Sequence, residues 1–109
     1  WLERAVAEKE KGDVHGRIDH ASLSRTLHEV GYCLSRTGQY AEARLWYERA
    51  VAEAEQGDVY GRIDHASLSV TLSAGAACLR RLGETDLARQ WDQRASDAKR
   101  SAGAASGVN

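Results

Sequence analysis

Residues 46–69 read WYERAVAEAEQGDVYGRIDHASLS, and residues 1–24 read WLERAVAEKEKGDVHGRIDHASLS. The match continues without a gap, and 28 of the 45 positions of the first copy are identical in the second. A third copy begins at Trp91 and fades after Arg94 and Ala95. A fixed period in this range is typical of solenoid proteins, in which each unit buries its apolar face against the next. The repeat therefore predicts a stacked, repetitive fold and argues against a compact active site.

Composition limits the classes of partner. The chain has 109 residues, enough for one domain, and a net charge of −1 from 15 basic and 16 acidic residues. This balance gives no long-range attraction for nucleic acid or anionic lipid. No apolar run approaches the roughly 20 residues of a membrane-spanning helix. We therefore expect neither nucleic acid nor membrane as a partner. Because the sequence lacks Met and opens within a helical pattern, we also expect a segment of a longer protein.

The two cysteines predict a reducing compartment. Cys33 and Cys78 are 45 residues apart, at equivalent positions of the two copies. Equivalent sites on neighbouring packed helices lie roughly 10 Å apart, which is too far for a disulfide. We expect both to be buried free thiols on packing faces, as in a cytoplasmic protein.

Apolar spacing predicts about five helices. The clearest covers residues 20–36, because its apolar residues are spaced four, three and four apart: Leu23, Leu27, Val30 and Leu34. The other predicted helices cover residues 1–11, 40–56, 65–81 and 85–100. Pro is absent, which favours uninterrupted helices. Residues 101–109 are small and polar, and we expect a flexible tail there.

The connections alternate between short and long. Gly38 and Gly83 mark short turns, where a left-handed glycine ends the preceding helix. Asp19 and Asp64 precede helices and are candidate N-caps. Each unit is therefore predicted to be a helix, a tight turn, a second helix and a long ordered loop.

The long loop carries its own ordering residues. In the second copy it covers residues 57–64, where Val59 and Ile63 are available to pack onto the core. Arg62 stands two residues before Asp64, as Arg17 stands before Asp19. We predict an internal Arg–Asp ion pair that orders the loop.

Small and aromatic residues carry a family resemblance. A glycine in the first helix is followed by a glycine in the turn and by alternating aromatic residues and alanines: Gly31, Gly38, Tyr40, Ala43, Tyr47 and Ala50. In this order and spacing the unit resembles a tetratricopeptide repeat. Its period exceeds the usual length of about 34, and the run DHASL at residues 19–23 is similar to the longer repeats of kinesin light chains and many large bacterial proteins.

The resemblance implies a right-handed superhelical α-solenoid of antiparallel helix pairs. Residues 1–11 would be the second helix of a truncated unit, residues 20–56 a full unit, and residues 65–100 a degenerate terminal unit. Thr85 and Asp92 stand where the family has aromatic residues, as in a capping unit.

The same resemblance implies a protein-interaction scaffold. In tetratricopeptide arrays the first helix of each pair lines a concave groove that binds peptides or proteins. The groove positions carried over to this chain are Arg25, His28, Tyr32, Ser35, Arg36, Val70, Ser73, Ala77, Arg80 and Arg81. Four arginines with an aromatic residue suit an acidic partner, because guanidinium groups pair with carboxylates. The Ala and Arg content favours a bacterial source.

Catalytic and metal chemistry have little support. The histidines that recur, His20 and His65, each follow an Asp and are expected to pack on or bond the adjacent loop. No serine or cysteine sits in a nucleophile motif, and Gly12-x-x-x-Gly16 lacks the Lys of a phosphate-binding loop. We expect no enzyme, no metal and no cofactor. The competing hypothesis is a structural spacer or a self-associating array, and we expect association through exposed repeat ends.

Overall fold

The structure, a computed structural model, describes Val6, residues 19–58 and residues 60–106, without the side chains of residues 104–106. Over these residues it contains no strand. It contains four α-helices: α1 (His20–Arg36), α2 (Tyr40–Ala54), α3 (His65–Arg81) and α4 (Thr85–Ser106). The predicted all-α class is therefore confirmed for the described part of the chain.

The helix predicted for residues 1–11 lies outside the described residues except for Val6. Val6 is helical and buried, and it packs against Leu23, Leu27 and Val30 of α1. None of the described helices is both long and apolar enough to cross a membrane.

Consecutive helices form antiparallel pairs with the same contacts in both copies. In the first pair, the Ser24 hydroxyl donates to the Ala50 carbonyl at 2.7 Å. In the second pair, Ser69 donates to the Ala95 carbonyl at 3.0 Å. The donor and the acceptor of the second bond each lie 45 residues after those of the first, so the sequence period is also a structural period. The early residues of one helix meet the late residues of its partner, which makes each pair antiparallel.

The predicted caps are confirmed. Asp19 and Asp64 each accept the backbone N–H three residues on, from Ser22 and Ser67, at 3.1 Å. Such a bond satisfies one of the donors that a helix leaves free at its N-terminus. The turns use glycines with positive φ, 79° at Gly38 and 81° at Gly83, so both positions require the left-handed region.

Two apolar clusters hold the described helices together. The smaller joins α1 to Val6 and Ala50. The larger joins α2, α3 and α4, and its bulkiest buried members are Tyr47, Leu72, Leu79 and Trp91. Because α2 contributes to both clusters, it connects the first helix pair to the second.

The helix ends differ from the prediction at two places. α2 ends at Ala54 rather than near residue 56, because Gly57 turns the chain with a φ of 86°. A side chain on Gly57 would meet the Arg62 carbonyl oxygen at 2.8 Å, so the loop closes tightly there. α4 continues to Ser106 rather than ending near residue 100, through small residues with good helix propensity such as Ala102. Residues 107–109 of the predicted tail lie outside the described residues.

The long loop is ordered by an internal Arg–Asp pair, as predicted. Arg62 Nε donates to Asp58 at 3.0 Å, whereas Asp64 is occupied as the N-cap of α3. Asp58 also accepts the backbone N–H groups of Tyr60 and Arg62, at 2.8 and 3.0 Å. These bonds, the one from the Arg62 N–H first, lower the pKa of Asp58. Ile63 packs on the larger core as predicted, and Val59 lies outside the described residues.

The prediction of two buried thiols was wrong for Cys33. Cys78 is buried and Cys33 is exposed. The thiol of Cys78 is covered by the start of α2, since it contacts the Tyr40 carbonyl oxygen at 3.0 Å. Equivalence by repeat therefore fails to predict burial at this position.

Candidate binding groove

A groove runs along the line where α1 faces α3. It consists of two neighbouring clefts, of about 320 Å³ beside the first halves of the helices and about 290 Å³ beside their second halves. Three of the predicted site residues line the first cleft: Arg25, His28 and Val70. Five line the second cleft: Tyr32, Ser35, Arg36, Ala77 and Arg81. The structure thus brings eight of the ten predicted residues to one groove.

Two predicted residues do not line these clefts. Ser73 is exposed on α3 but contributes to neither. Arg80 turns towards α4, where its guanidinium pairs with the carboxylate of Asp92. In the first copy the positions equivalent to Arg80 and Asp92 are Ser35 and Tyr47. The prediction of Arg80 as a groove residue therefore missed that an ion pair replaces these two residues in the second copy.

His28 joins α1 to α3 and belongs to the first cleft. Its Nδ1 lies 3.0 Å from the Thr71 hydroxyl, and its ring meets Tyr47 edge-on with centroids 5.5 Å apart. Burial lowers the pKa of His28, and the nearby Glu29 carboxylate opposes this change. His28 is therefore favoured as a neutral ring that links the two repeats.

The first cleft has mixed polarity. Val70 is 61% exposed, and Glu29 and Arg25 lie on the opposite side of the cleft. The positive charge of Arg25 helps to lower the pKa of Asp64, after the larger effect of the hydrogen bonds from Ser67. Arg25 therefore already has an acidic neighbour within the chain.

Two arginine–tyrosine pairs flank the second cleft. The Arg36 guanidinium lies 5.7 Å from the ring centre of Tyr32, and that of Arg81 lies 5.9 Å from the ring centre of Tyr40. These distances fall within the roughly 6 Å of a cation–π contact. Within residues 19–58 and 60–106, neither guanidinium has a carboxylate partner. Both positive charges therefore face the cleft uncompensated.

The floor of the second cleft carries three polar groups. They are the hydroxyls of Ser35 and Tyr47 and the thiol of Cys78. Burial raises the pKa of Tyr47 and of Cys78, and the nearby Ser35 hydroxyl lowers both in part. The Ser35 hydroxyl is itself buried and lies beside both of these groups.

Sequence reasoning missed two tyrosines of this cleft. Tyr40 and Tyr47 were assigned only to the repeat pattern, yet both line the second cleft. Tyr40 is the first residue of α2, and its ring reaches Arg81 at the end of α3. The helix order contained a signal for this contact. When α2 packs between α1 and α3, the start of α2 lies beside the end of α3, so Tyr40 is placed near Arg81.

No cluster of three metal-ligating side chains occurs among the residues described here. The free thiols of Cys33 and Cys78 are not joined in a disulfide.

Comparisons with known proteins leave the groove to be interpreted from its own chemistry. No model of a known protein family matches the sequence, and no curated protein or solved structure is detectably similar to it.

Proposed function

We propose that this chain is a protein-interaction scaffold, a right-handed α-solenoid of tetratricopeptide type without enzymatic activity. Its α1 and α3 would be the first helices of two successive units and would line the concave face. The free thiols fit a reducing compartment, and we propose the bacterial cytoplasm as its location.

One observation carries this proposal. Eight residues carried over from the tetratricopeptide pattern, on two helices 45 residues apart, line two neighbouring clefts between those helices rather than scattered surfaces. Part of the groove is apolar and exposed, with Tyr32 50% and Val70 61% accessible. Aromatic and arginine side chains are enriched among residues that dominate binding energy at interfaces. A groove of this composition fits an extended segment of a partner protein.

The charges favour an acidic segment. Arg36 and Arg81 are exposed and have no acidic neighbour among the described residues, whereas most other arginines of the helices have one. A guanidinium fork pairs with a carboxylate through two parallel hydrogen bonds. We therefore propose that acidic residues of the partner meet these two arginines.

The outer face of α4 supports its role as the end of the array. On α2 the face that packs on α3 carries Tyr47 and Val51. The equivalent positions of α4 carry Asp92 and Ser96, and Asp92 is occupied by Arg80. A polar face cannot bury a further helix pair at low cost, so we propose that stacking stops at α4.

The test selects peptides from a displayed random library on the immobilised protein and measures their affinity by fluorescence anisotropy. We expect the selected peptides to be rich in Asp and Glu. The double variant Arg36→Ala, Arg81→Ala should weaken their binding by about tenfold or more, because each charge-assisted contact contributes about 1.5 kcal/mol or more.

A matched control removes the same charge elsewhere. Arg89 lies on α4, where its side chain is 76% exposed and pairs with the exposed Asp86. The variant Arg89→Ala should therefore leave the affinity unchanged. Equal binding by all three proteins, with normal helical spectra, would contradict the groove. Failure to select any peptide would favour the alternative, a spacer or self-associating array.

A further inference from the structure

The second cleft holds two positive charges that nothing within the described chain neutralises. Arginine stays charged at any physiological pH, so Arg36 and Arg81 bring two charges to one cleft of about 290 Å³. Each is held near its tyrosine ring, which fixes it better than a freely rotating surface side chain. One carboxylate would neutralise only one of these charges.

We propose that this cleft is a binding site for a phosphate monoester, carried by a phosphorylated side chain of the partner. A phosphate monoester has a charge of about −1.5 to −2 at pH 7 and three strong acceptor oxygens. It matches the two guanidinium groups in charge, and it can accept hydrogen bonds from both at once. The inference rests on the proposed function, and it names the group that anchors the partner in the groove.

The second helix pair has no equivalent site. The position of Ser35 is taken by Arg80, and that of Tyr47 by Asp92, and these two side chains form an ion pair. An arginine that already faces a carboxylate offers no uncompensated charge. Among the described helices the cleft is therefore a single site, and we expect one phosphate group to bind there.

Small probes test the site without knowledge of the partner. Phenyl phosphate and benzoate share a ring and differ in the charge of the anion, and inorganic phosphate lacks the ring. Binding is followed by two-dimensional amide NMR of the labelled chain at pH 7.5. We expect phenyl phosphate to shift the amides of Ser35, Arg36 and Arg81 with a dissociation constant in the range of about 1–10 mM. Benzoate should bind about tenfold more weakly.

Three further measurements sharpen the result. Lowering the pH to about 5 removes most of the second charge of the monoester and should weaken phenyl phosphate binding severalfold. Arg36→Ala and Arg81→Ala should each weaken it severalfold while the helical spectrum and thermal midpoint are kept. Arg89→Ala serves as the charge control and should have no effect.

The outcomes are separable from those of the peptide selection. Equal shifts by benzoate and phenyl phosphate would mean that a single charge suffices, and would overturn the phosphate assignment while an acidic partner in the groove remained supported. Inorganic phosphate binding as tightly as phenyl phosphate would identify a free anion rather than a phosphorylated side chain and would overturn it too. So would the absence of cleft shifts at about 20 mM phenyl phosphate, where about two thirds or more of the sites would be occupied.

Discussion

The indole ring of Trp91 occupies the space that a side chain on Gly75 would need. A Cβ built on Gly75 would lie 2.2 Å from Cζ3 and 2.6 Å from Cε3 of that ring. Since Trp91 is only 7% exposed, the ring cannot swing aside into solvent. The close approach of α4 to α3 therefore depends on this glycine.

The first helix pair uses a different glycine for the same purpose. There a Cβ on Gly31 would lie 3.0 Å from the ring of Tyr47. In register, Gly31 corresponds to Ala76 and Tyr47 to Asp92. The glycine and the inserted aromatic residue have thus moved together by one position, from the pair Gly31–Tyr47 to the pair Gly75–Trp91.

Replacement of Gly75 by alanine should destabilise the protein. Alanine favours a helix interior over glycine by about 1 kcal/mol, but overpacking of a well-filled core costs about 1–3 kcal/mol. Because the Cβ would lie so close to a buried ring, we expect the overpacking cost to exceed the gain in helix propensity. The free energy of unfolding should then fall by about 1–2 kcal/mol. Urea denaturation followed by circular dichroism measures this change.

Two other glycine-to-alanine variants act as controls. Gly103 lies in α4 with open space around it, and Gly103→Ala should stabilise slightly or have no effect. Gly31→Ala requires Tyr47 to move by only a few tenths of an ångström, and its effect should be smaller than that of Gly75→Ala. A Gly75→Ala variant as stable as Gly103→Ala would contradict the proposed steric role of Trp91.

Gly38 tests the turn between α1 and α2. Its φ of 79° lies in the left-handed region, and a side chain there would meet nothing within 4 Å. The penalty for substitution is therefore conformational alone, and Gly38→Val should cost about 1–2 kcal/mol of stability. Gly38→Asn should cost less, because asparagine visits this region more readily. Equal thermal midpoints for the two variants would show that backbone conformation does not limit this turn.

Much of the backbone could be predicted from the sequence, because local chemistry determines it. The Asp19 and Asp64 caps need only a carboxylate three residues before a free N–H. The Gly38 and Gly83 turns need only a residue that tolerates positive φ. The start of each described helix is predicted correctly, because each start closely follows an aspartate cap or a glycine turn.

The contacts between helices could not be predicted in the same way, because they depend on which side chain fills which space. The change from Val30-Gly31-Tyr32 to Gly75-Ala76-Ala77 looks like a loss of bulk in the sequence. In the structure Trp91 fills the space at Gly75. The ion pair between Arg80 and Asp92 could likewise not be predicted from the sequence, because it depends on how α3 packs against α4.

Asp64 links the stability of α3 to pH. Its pKa is lowered, first by the backbone N–H of Ser67 and then by the Ser67 hydroxyl. A carboxyl group whose pKa is lower in the folded state stabilises the protein above its unfolded pKa of about 3.9, and this stabilisation is lost as the pH falls through the folded value. We therefore expect Asp64→Ala to cost about 1 kcal/mol at pH 7.

The difference between the parent protein and Asp64→Ala should shrink as the pH falls below about 4, where the cap is protonated. Urea denaturation at pH 7 and in the acid range measures it. Asp64→Asn, which caps without a charge, should retain most of the stability at pH 7 and lack the acid dependence. A constant difference between the parent and Asp64→Ala at all pH values would contradict the role of the ionised cap.

His28 should make the contact between the two repeats sensitive to mild acid. Burial lowers its pKa below the ordinary value of 6.5, with partial opposition from Glu29. His28 of the unfolded chain therefore binds a proton at about pH 6.5, whereas His28 of the folded chain is still neutral there. The free energy of unfolding accordingly falls as the pH drops from about 6.5 through the folded pKa. The groups that face the ring from the other helices are neutral near this pH: Tyr47 on α2 and Thr71 on α3.

We expect the parent protein to lose stability between pH 7 and pH 5.5, and His28→Gln to lose less over the same interval. Ser73→Ala, at the exposed position of α3 that is equivalent to His28, is the matched control and should retain the slope of the parent. If His28→Gln and the parent show the same pH dependence in urea denaturation, the buried neutral ring does not control this contact.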